Sequence, residues 1–219
     1  RPRPQFHGDG RVYLGMELEI NTSGSFNSTS SLAYVAHNAL GGLGYLKEDS
    51  SVSGFELVTH PMTHAYAAES FPWPLLEELA EYGCRGDDGL HVHVNRDAFD
   101  SPSHIFRWLR FIYRNRQAIT LLSRRHRDDL NEWASFTNYS SELPFCKQHA
   151  KGSRDGARYS AVNVQNAATF EVRVFRASLQ RQSVMAALDL VAGSVEYTRS
   201  LTVPSILKGG WTWDGFIKW

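Results

Sequence analysis

Charged side chains alternate with apolar ones in three short segments of this sequence. Residues 16–20 read Met-Glu-Leu-Glu-Ile, residues 90–95 read Leu-His-Val-His-Val-Asn, and residues 170–174 read Phe-Glu-Val-Arg-Val. Because successive side chains of a β-strand point to opposite faces, each segment would separate its charged residues from its apolar ones. Carboxylates with an imidazole suit Mg²⁺ or Mn²⁺ that is held jointly with phosphate groups.

These charged residues would share one face if the segments lie in one sheet, and a glutamate from a further strand at 55–60 would join them. We call this set the charged face: Glu17, Glu19, Glu56, His91, His93, Glu171 and Arg173. Carboxylates clustered without compensation raise one another's pKa values and cost stability, and divalent cations remove that repulsion. The alternative is the ordinary solvent-exposed face of an antiparallel sheet, although such a face usually carries Thr, Ser, Lys and Gln.

The hydrophobic pattern predicts strands and helices in mixed order. Strands are expected at 11–20, 55–60, 90–95, 159–165 and 169–176. Loops are expected at 21–31 and 135–157, and helices at 32–40, 72–82, 183–201 and, after the capping pair Ser101-Pro102, up to about residue 125. This order predicts an α+β fold with a curved, mainly antiparallel sheet and helices packed on one face. Residues 1–219 carry no sign of a domain boundary and are expected to form one compact domain, whether complete or cut from a longer chain.

Composition excludes partners that are recognised by bulk charge. The 219 residues carry 23 Lys and Arg against 23 Asp and Glu, whereas binding to nucleic acid or to an anionic membrane normally requires a basic excess. No apolar run approaches the roughly 18 residues that cross a bilayer. With only two cysteines, Cys84 and Cys146, the chain is expected to be a reduced, cytoplasmic protein.

Four motifs, in order along the chain, resemble those of the glutamine-synthetase-like carboxylate-amine ligases, and most closely the small amidoligases of that superfamily. The first is Gly-Met-Glu-Leu-Glu-Ile at 15–20, and the second combines Lys-Glu-Asp-Ser-Ser-Val at 47–52 with Phe-Glu-Leu-Val-Thr-His-Pro at 55–61. The third is Gly-Leu-His-Val-His-Val at 89–94, and the fourth is Phe-Glu-Val-Arg-Val-Phe-Arg at 170–176. The resemblance implies a glutamine-synthetase-like catalytic domain.

The same resemblance implies a role for each motif residue. The implied metal ligands are Glu17, Glu19, Asp49, Glu56, His91 and Glu171. His93 is implied to lie near the nucleotide phosphates, and Arg173 to bind the transferred phosphate as a catalytic residue. Lys47 is either a further phosphate contact or an exposed lysine at a strand end. Arg176 would assist Arg173 only if the strand ends or bulges there, because the two residues have opposite parity.

The implied reaction is amide formation driven by ATP, with Mg²⁺ or Mn²⁺ as the metal. ATP phosphorylates a carboxylate, an amine attacks the acyl phosphate, and an amide, ADP and phosphate are released. The expected partners are small-molecule, peptide or protein substrates that carry the carboxylate and the amine. Their identity, and the oligomeric state of the protein, are not predicted.

Two other functions compete with a ligase. The His-x-His pair with nearby acids is also typical of cupin-type metal sites, but a cupin barrel is nearly all β, whereas long helices are predicted here. A non-catalytic binding module is the second alternative, since arginines line the predicted helix that starts near Ser101 and could contact an acidic partner. Such a stripe is more often a solvated helix face. These arginines are Arg107, Arg110, Arg114, Arg116, Arg124, Arg125 and Arg127.

Overall fold

One antiparallel sheet runs through the molecule. The computed structural model describes residues 2–23, 26–48, 50, 52–136 and 142–219. Its strands are β1 (Tyr13–Asn21), β2 (Gly44–Lys47), β3 (Gly54–Thr59), β4 (Met62–Thr63), β5 (Gly89–Asn95), β6 (Val162–Asn163) and β7 (Thr169–Arg176). Within the described residues the strand order is β2-β3-β1-β5-β7-β6, with β4 paired to β1, and all of these pairs are antiparallel.

Helices connect the strands of this sheet. They are α1 (Phe26–Leu40), α2 (His64–Ser70), α3 (Pro74–Glu81), α4 (Pro102–Arg114), α5 (Arg116–Ser123), α6 (Arg127–Trp133), α7 (Glu142–Ala150), α8 (Arg181–Ser200), α9 (Val203–Ser205) and α10 (Trp213–Lys218). Short 3-10 turns lie at Gly41–Leu43 and Arg96–Ala98, and a π-type segment lies at Ile206–Gly210. The predicted α+β class with a mainly antiparallel sheet is confirmed.

The apolar side of the central strands forms the hydrophobic core with α4 and α8. Phe170 of β7 is fully buried, with its ring centroid 5.4 Å from that of Trp108 on α4. The indole nitrogen of Trp108 donates to Ser194 Oγ on α8 at 2.8 Å, so the buried polar atom has a partner. This packing buries the apolar face of the strands and leaves their opposite face for polar side chains.

The prediction of a loop over residues 21–31 is wrong, because α1 begins at Phe26. Serine and threonine favour loops and caps when nothing else decides. Here Leu40 and Ala36 bury one side of α1 in the core while Ser28 and Ser30 remain exposed. Tertiary packing therefore extends the helix by six residues beyond its predicted start.

The predicted single helix from Pro102 to about residue 125 is two helices, α4 and α5, separated at Asn115. The side-chain nitrogen of Asn115 donates to Phe111 O at 2.8 Å and to Trp211 O at 2.9 Å. Such side-chain bonds to the backbone compete with helical geometry. The predicted cap is confirmed, since Ser101 Oγ accepts from the backbone nitrogen of His104.

The predicted loop over residues 135–157 is also wrong, because α7 lies within it. Phe145, Cys146 and His149 are buried at helical spacing, and the Phe145 ring lies 5.0 Å from that of Tyr113 on α4. Pro144 is tolerated because it occupies the first turn of α7, where its missing N–H is not needed. The predicted strand at 159–165 is reduced to the two residues of β6.

Both cysteines, Cys84 and Cys146, are buried free thiols. Burial raises the pKa of Cys146 to about 12, so its nucleophilic thiolate form is disfavoured. None of the helices in the described ranges is long and apolar enough to cross a membrane.

Candidate metal and phosphate site

The sheet register brings the charged face together on four neighbouring strands. Glu17 of β1 pairs with His91 of β5, Glu19 pairs with Glu56 of β3, and His93 pairs with Glu171 of β7. Paired residues in an antiparallel ladder point to the same face. The apolar neighbours are buried on the other face, with Leu18 at 1% exposure and Val92 at 0%, so the predicted separation of the two faces is confirmed.

His91 lies at the centre of the charged face and is only 4% exposed. Its Nδ1 is 4.0 Å from Glu17 Oε2 and 3.5 Å from Glu171 Oε1, and its Nε2 is 3.9 Å from Glu19 Oε1. Neither ring nitrogen makes a hydrogen bond to any residue that the structure describes. A buried polar group without a hydrogen-bond partner lowers the stability of the fold by about 1–3 kcal/mol. A bound ligand that interacts with this imidazole would remove that cost.

His93 and Glu171 form the neighbouring part of the site. His93 Nε2 is 3.3 Å from Glu17 Oε1, and Thr169 Oγ1 lies 3.2 Å from its Nδ1. Glu171 Oε2 accepts a hydrogen bond of 2.8 Å from Asn163 Nδ2. These contacts fix the orientation of both side chains.

Arg173 lies beside Glu171 and pairs with its Oε1. Its Nε also donates to the backbone oxygen of Trp133 at 3.2 Å, and its guanidinium lies 5.6 Å from the ring of Tyr159. Burial alone would raise the pKa of Glu171, but the positive charges of Arg173, His93 and His91 together outweigh burial and lower it. Glu171 is therefore favoured in its ionised form although it is only 7% exposed.

The other side of the site is formed by Glu19 and Glu56. Glu19 accepts a hydrogen bond from the backbone nitrogen of Gly89, and Glu56 forms an ion pair with Lys47. A Cβ at position 89 would lie 2.7 Å from Glu19 Oε2 and 2.9 Å from His91 Nε2. A side chain at position 89 would therefore displace Glu19 and His91 from their present positions.

Ligand atoms from the charged face converge in two groups. Glu17, His93 and Glu171 form one group, and Glu17, Glu56 and His91 form the other, with the atoms of each group within 4.8 Å of one another. Two ligand atoms that are each about 2.1 Å from one Mg²⁺ or Mn²⁺ lie at most about 4.2 Å apart. The separations from Glu17 to the two histidines, 4.0 Å to His91 and 3.3 Å to His93, meet this limit, and Glu17 belongs to both groups.

The protonation of the site reflects crowding of its carboxylates. Burial raises the pKa of Glu56 to about 7, and the negative charge of Glu17 adds to this effect while Lys47 opposes it. Burial also acts to raise the pKa of Glu17, but His91 and His93 together lower it. Burial lowers the pKa of His91. Burial also acts to lower the pKa of His93, but the carboxylates of Glu17 and Glu171 together outweigh it and raise this pKa. Because the charged form of Glu56 is disfavoured in the absence of a metal ion, binding of a divalent cation would favour release of a proton from this carboxyl group.

Two of the predicted site residues are not brought to the centre of this cluster. Asp49 lies outside the described residues. Arg176 is exposed, and within the described structure no ion pair links it to the carboxylates. A bulge does occur, because β7 has one extra residue between the pairs Leu90–Phe175 and Val92–Val172. It places Arg176 opposite Gly89, at the edge of the charged face.

Arg125 is a site residue that the sequence pattern assigned only to a solvated stripe. Arg124 adopts a left-handed conformation with φ of 56° and ends α5. The next residue then turns inward, and Arg125 donates from a terminal nitrogen to Arg173 O at 3.0 Å. Its buried Nε has no hydrogen-bond partner among the described residues. The inward turn follows from the left-handed conformation of Arg124. Because arginine rarely adopts this conformation, the sequence gives no sign of the turn.

Other members of the arginine stripe have structural contacts. Arg107 donates to Thr198 O at 3.0 Å, and Arg110 forms an ion pair of 2.6 Å with Glu142. Three further members are exposed, namely Arg114, Arg116 and Arg124, and Arg125 is partly exposed. The stripe is therefore not one continuous binding surface.

The sequence was compared with protein-family models and with curated proteins. No model of a protein family matches the chain, and no curated protein matches it. Function must therefore be inferred from the chemistry of the charged face and from its motifs.

Proposed function

We propose that the charged face binds two divalent cations, Mg²⁺ or Mn²⁺, together with the phosphates of ATP, and that the protein is an ATP-dependent carboxylate-amine ligase. The observation that carries the proposal is the buried His91, whose ring nitrogens have no described hydrogen-bond partner and face three carboxylates at 3.5–4.0 Å. A cation between them would satisfy the imidazole and relieve the carboxylate repulsion at once.

The choice of a ligase rests on the order of the motifs as well as on the ligands. The Glu-x-Glu, Glu, Gly-x-His-x-His and Glu-x-Arg segments lie on adjacent strands β1, β3, β5 and β7, as expected for a glutamine-synthetase-like catalytic domain. Carboxylates with few imidazoles favour Mg²⁺ and Mn²⁺ over softer metals. Such ions usually keep open positions for substrate phosphates.

The residues divide into two tasks under this proposal. Glu17, Glu56, His91, His93 and Glu171 hold the cations, and Glu19 completes the set beside His91. Bound cations would neutralise the phosphates and polarise the γ-phosphoryl group. Arg173, held by Glu171 and by the Trp133 carbonyl, presents a fixed positive charge to the transferred phosphoryl group.

The proposed reaction forms one amide bond for each ATP that is cleaved. A carboxylate oxygen of one substrate attacks the γ-phosphorus, and the bond to the ADP oxygen breaks. The amine nitrogen of the second substrate then attacks the acyl carbon, phosphate leaves with the bonding electrons, and the nitrogen loses a proton to solvent or to phosphate. The protein orients the reactants and stabilises the moving charge.

The competing interpretations fit the described structure less well. An open sheet with 51% helix and 20% strand differs from the closed barrel of a cupin. A merely solvated sheet face would not bury Glu56 to 2% exposure or His91 to 4%. A binding module that uses the arginine stripe is disfavoured because Arg107 and Arg110 are engaged in internal contacts.

Thermal unfolding with Mg²⁺ alone, with ATP alone and with both tests the proposal without knowledge of the substrates. We expect the largest stabilisation when both are present, about 2.7 kcal/mol at 100 times the dissociation constant. Glu171→Gln should abolish the joint effect because it removes a ligand charge with little change in volume. Glu78→Gln on the exposed face of α3 is the matched control and should behave like the parent. Equal responses of the parent and Glu171→Gln would refute the site assignment.

A further inference from the structure

Arg125 is an enclosed positive charge that the proposed function leaves unused. It lies just after α5, which packs against β7, and its side chain is partly buried. Within the described structure, no carboxylate forms an ion pair with its guanidinium. Enclosing a charge without a counter-ion costs free energy. Binding of an anion at Arg125 would remove that cost.

The hydrogen bonds of the Arg125 guanidinium are also incomplete. One terminal nitrogen, Nη1, donates to Arg173 O at 3.0 Å. The buried Nε has no hydrogen-bond partner among the described residues, and Nη2 donates to none of them. Nε and Nη2 lie on the same edge of the planar guanidinium, and such an edge binds two oxygens of one carboxylate or phosphate in bidentate geometry. Arg125 therefore has one free edge, formed by Nε and Nη2.

A β-bulge connects Arg125 to the centre of the charged face. At the bulge, two residues of β7, Arg173 and Val174, lie opposite the single residue His91 of β5. The bulge removes Arg173 from the regular pairing with β5, and its carbonyl accepts the hydrogen bond from Arg125. Bulges next to active sites change the direction of side chains. The guanidinium is thus attached to the strand position whose own side chain is proposed to bind the transferred phosphate.

Two of the charges that act on Arg125 belong to the charged face. Burial lowers the pKa of its guanidinium, and the positive charge of Arg173 lowers it further. The negative charges of Glu19, Asp129 and Asp88 oppose this effect. Because the two guanidinium groups repel each other, one anion in contact with both would stabilise both in their charged form.

The turn that directs Arg125 inward is strained. Arg124 has φ of 56° and is the only described residue other than glycine with a positive φ. The left-handed conformation is unfavourable for a residue with a Cβ, and conformations of this kind concentrate at functional sites. The strain is a separate observation that supports a function for the residue that follows the turn.

We propose that Arg125 is a further catalytic residue, whose free edge contacts the transferred phosphoryl group alongside Arg173. Three oxygens carry the charge of this group during transfer. It therefore offers acceptors to two guanidinium groups and still has an oxygen for a cation, whereas a carboxylate has only two oxygens. The inference rests on the proposed ligase function, because ATP supplies the phosphoryl group.

Calorimetric titration of the full chain with ATP and with ADP, at saturating Mn²⁺ and constant ionic strength, tests the inference. Arg125→Gln should weaken ATP binding at least tenfold but ADP binding less than twofold, because only ATP carries the transferred group. Arg125→Lys keeps the charge without the bidentate edge and should show an intermediate loss. Arg127→Gln, at an exposed arginine two residues away, is the matched control and should bind both nucleotides like the parent.

Mn²⁺ affinity without nucleotide should be the same in Arg125→Gln and the parent, which shows that the charged face of the variant is intact. If Arg125→Gln fails to fold, the comparison of ATP with ADP in Arg125→Lys decides the question.

Three outcomes would overturn the inference while leaving the proposed nucleotide site in place. Equal losses of ATP and ADP affinity in Arg125→Gln would make the arginine a structural residue. Unchanged affinities for both nucleotides would remove it from the site. Unchanged ATP affinity with weakened binding of acetate would assign the arginine to a carboxylate. By contrast, a parent that binds neither ATP nor ADP with Mn²⁺ would refute the proposed function and the inference together.

Discussion

The two faces of the central sheet come from alternate residues of the same strands and have opposite properties. On the apolar face, Leu18, Val92 and Phe170 are at most 1% exposed and pack against helices. On the charged face, Glu17 and His91 are also largely enclosed, yet their polar atoms face one another at 4.0 Å, beyond hydrogen-bonding distance. Burial on one face is complete without a ligand, whereas burial on the other leaves polar atoms unsatisfied.

This difference indicates which interactions serve stability and which serve function. Apolar burial contributes about 25 cal/mol for each Å² removed from water, so the apolar face stabilises the fold by itself. The charged face costs free energy through the unpartnered His91 and through the crowded carboxylates. A site that is destabilising until it binds a ligand is typical of functional regions.

The largest effect is expected on the apolar face. Phe170→Ala should lower the free energy of unfolding by about 3–5 kcal/mol, because it leaves a cavity beside Trp108 and Phe99. Urea denaturation at several Mg²⁺ concentrations measures this loss, which should not depend on the cation. A loss below about 1 kcal/mol would mean that this face is not the stabilising one.

The next effect concerns the charged face and should have the opposite character. His91→Leu should leave the cation-free protein at least as stable as the parent, because an unpartnered imidazole is replaced by an apolar side chain of similar size. The same change should weaken Mn²⁺ binding at least tenfold. Denaturation with a chelator and calorimetric Mn²⁺ titration give the two numbers. A destabilised variant with unchanged Mn²⁺ affinity would make His91 a structural residue.

The pH dependence of stability sharpens the comparison at Glu56. Its pKa is about 7 in the folded protein against an ordinary value of 4.5. The folded protein therefore binds this proton more tightly than the unfolded chain does. The stabilisation that results is fully present below pH 4.5, and it is lost as the pH rises towards 7 because the free energy of unfolding falls. The side chain of the Glu56→Gln variant stays neutral at every pH. Without divalent cations, the free energy of unfolding of this variant should therefore rise relative to that of the parent by on the order of 1 kcal/mol over this interval. Urea denaturation at several pH values tests this; parallel profiles of parent and variant would contradict it.

The smallest effect is expected from two glycine substitutions on the charged face. Gly89→Ala would place a Cβ 2.7 Å from Glu19 Oε2, so this side chain must move, and Mn²⁺ binding should weaken about fivefold at nearly unchanged stability. Gly15→Ala is the control, because its Cβ would lie at an ordinary 3.7 Å from His93 Cβ. Equal Mn²⁺ affinities of the two variants in calorimetry would show that Glu19 does not contribute to the site.

The strand faces could be predicted from the sequence because alternation is a local property. Glu17, His91 and Glu171 were assigned to one face by parity alone, and the register confirms this. Glu19 and Glu56 are opposite each other on β1 and β3. Parity also places these two residues on the same face once the two strands are known to be neighbours. Local pattern was therefore sufficient for the centre of the site.

The parts that could not be predicted depend on contacts distant in sequence. The break at Asn115 requires the carbonyl of Trp211, and the approach of Arg125 to the site requires the left-handed Arg124. The bulge that brings Arg176 beside Gly89 is likewise set by pairing with β5. None of these features has a periodicity that a sequence pattern could display.

Counting bound Mn²⁺ ions by electron paramagnetic resonance tests the central claim most directly. Glu17 belongs to both groups of converging ligands, so the parent should bind two Mn²⁺ ions in the presence of ATP. Glu17→Gln should weaken both ions together, and the exposed control Glu78→Gln should weaken neither. No bound Mn²⁺ in the parent, or full binding by Glu17→Gln, would contradict a shared two-cation site on the charged face.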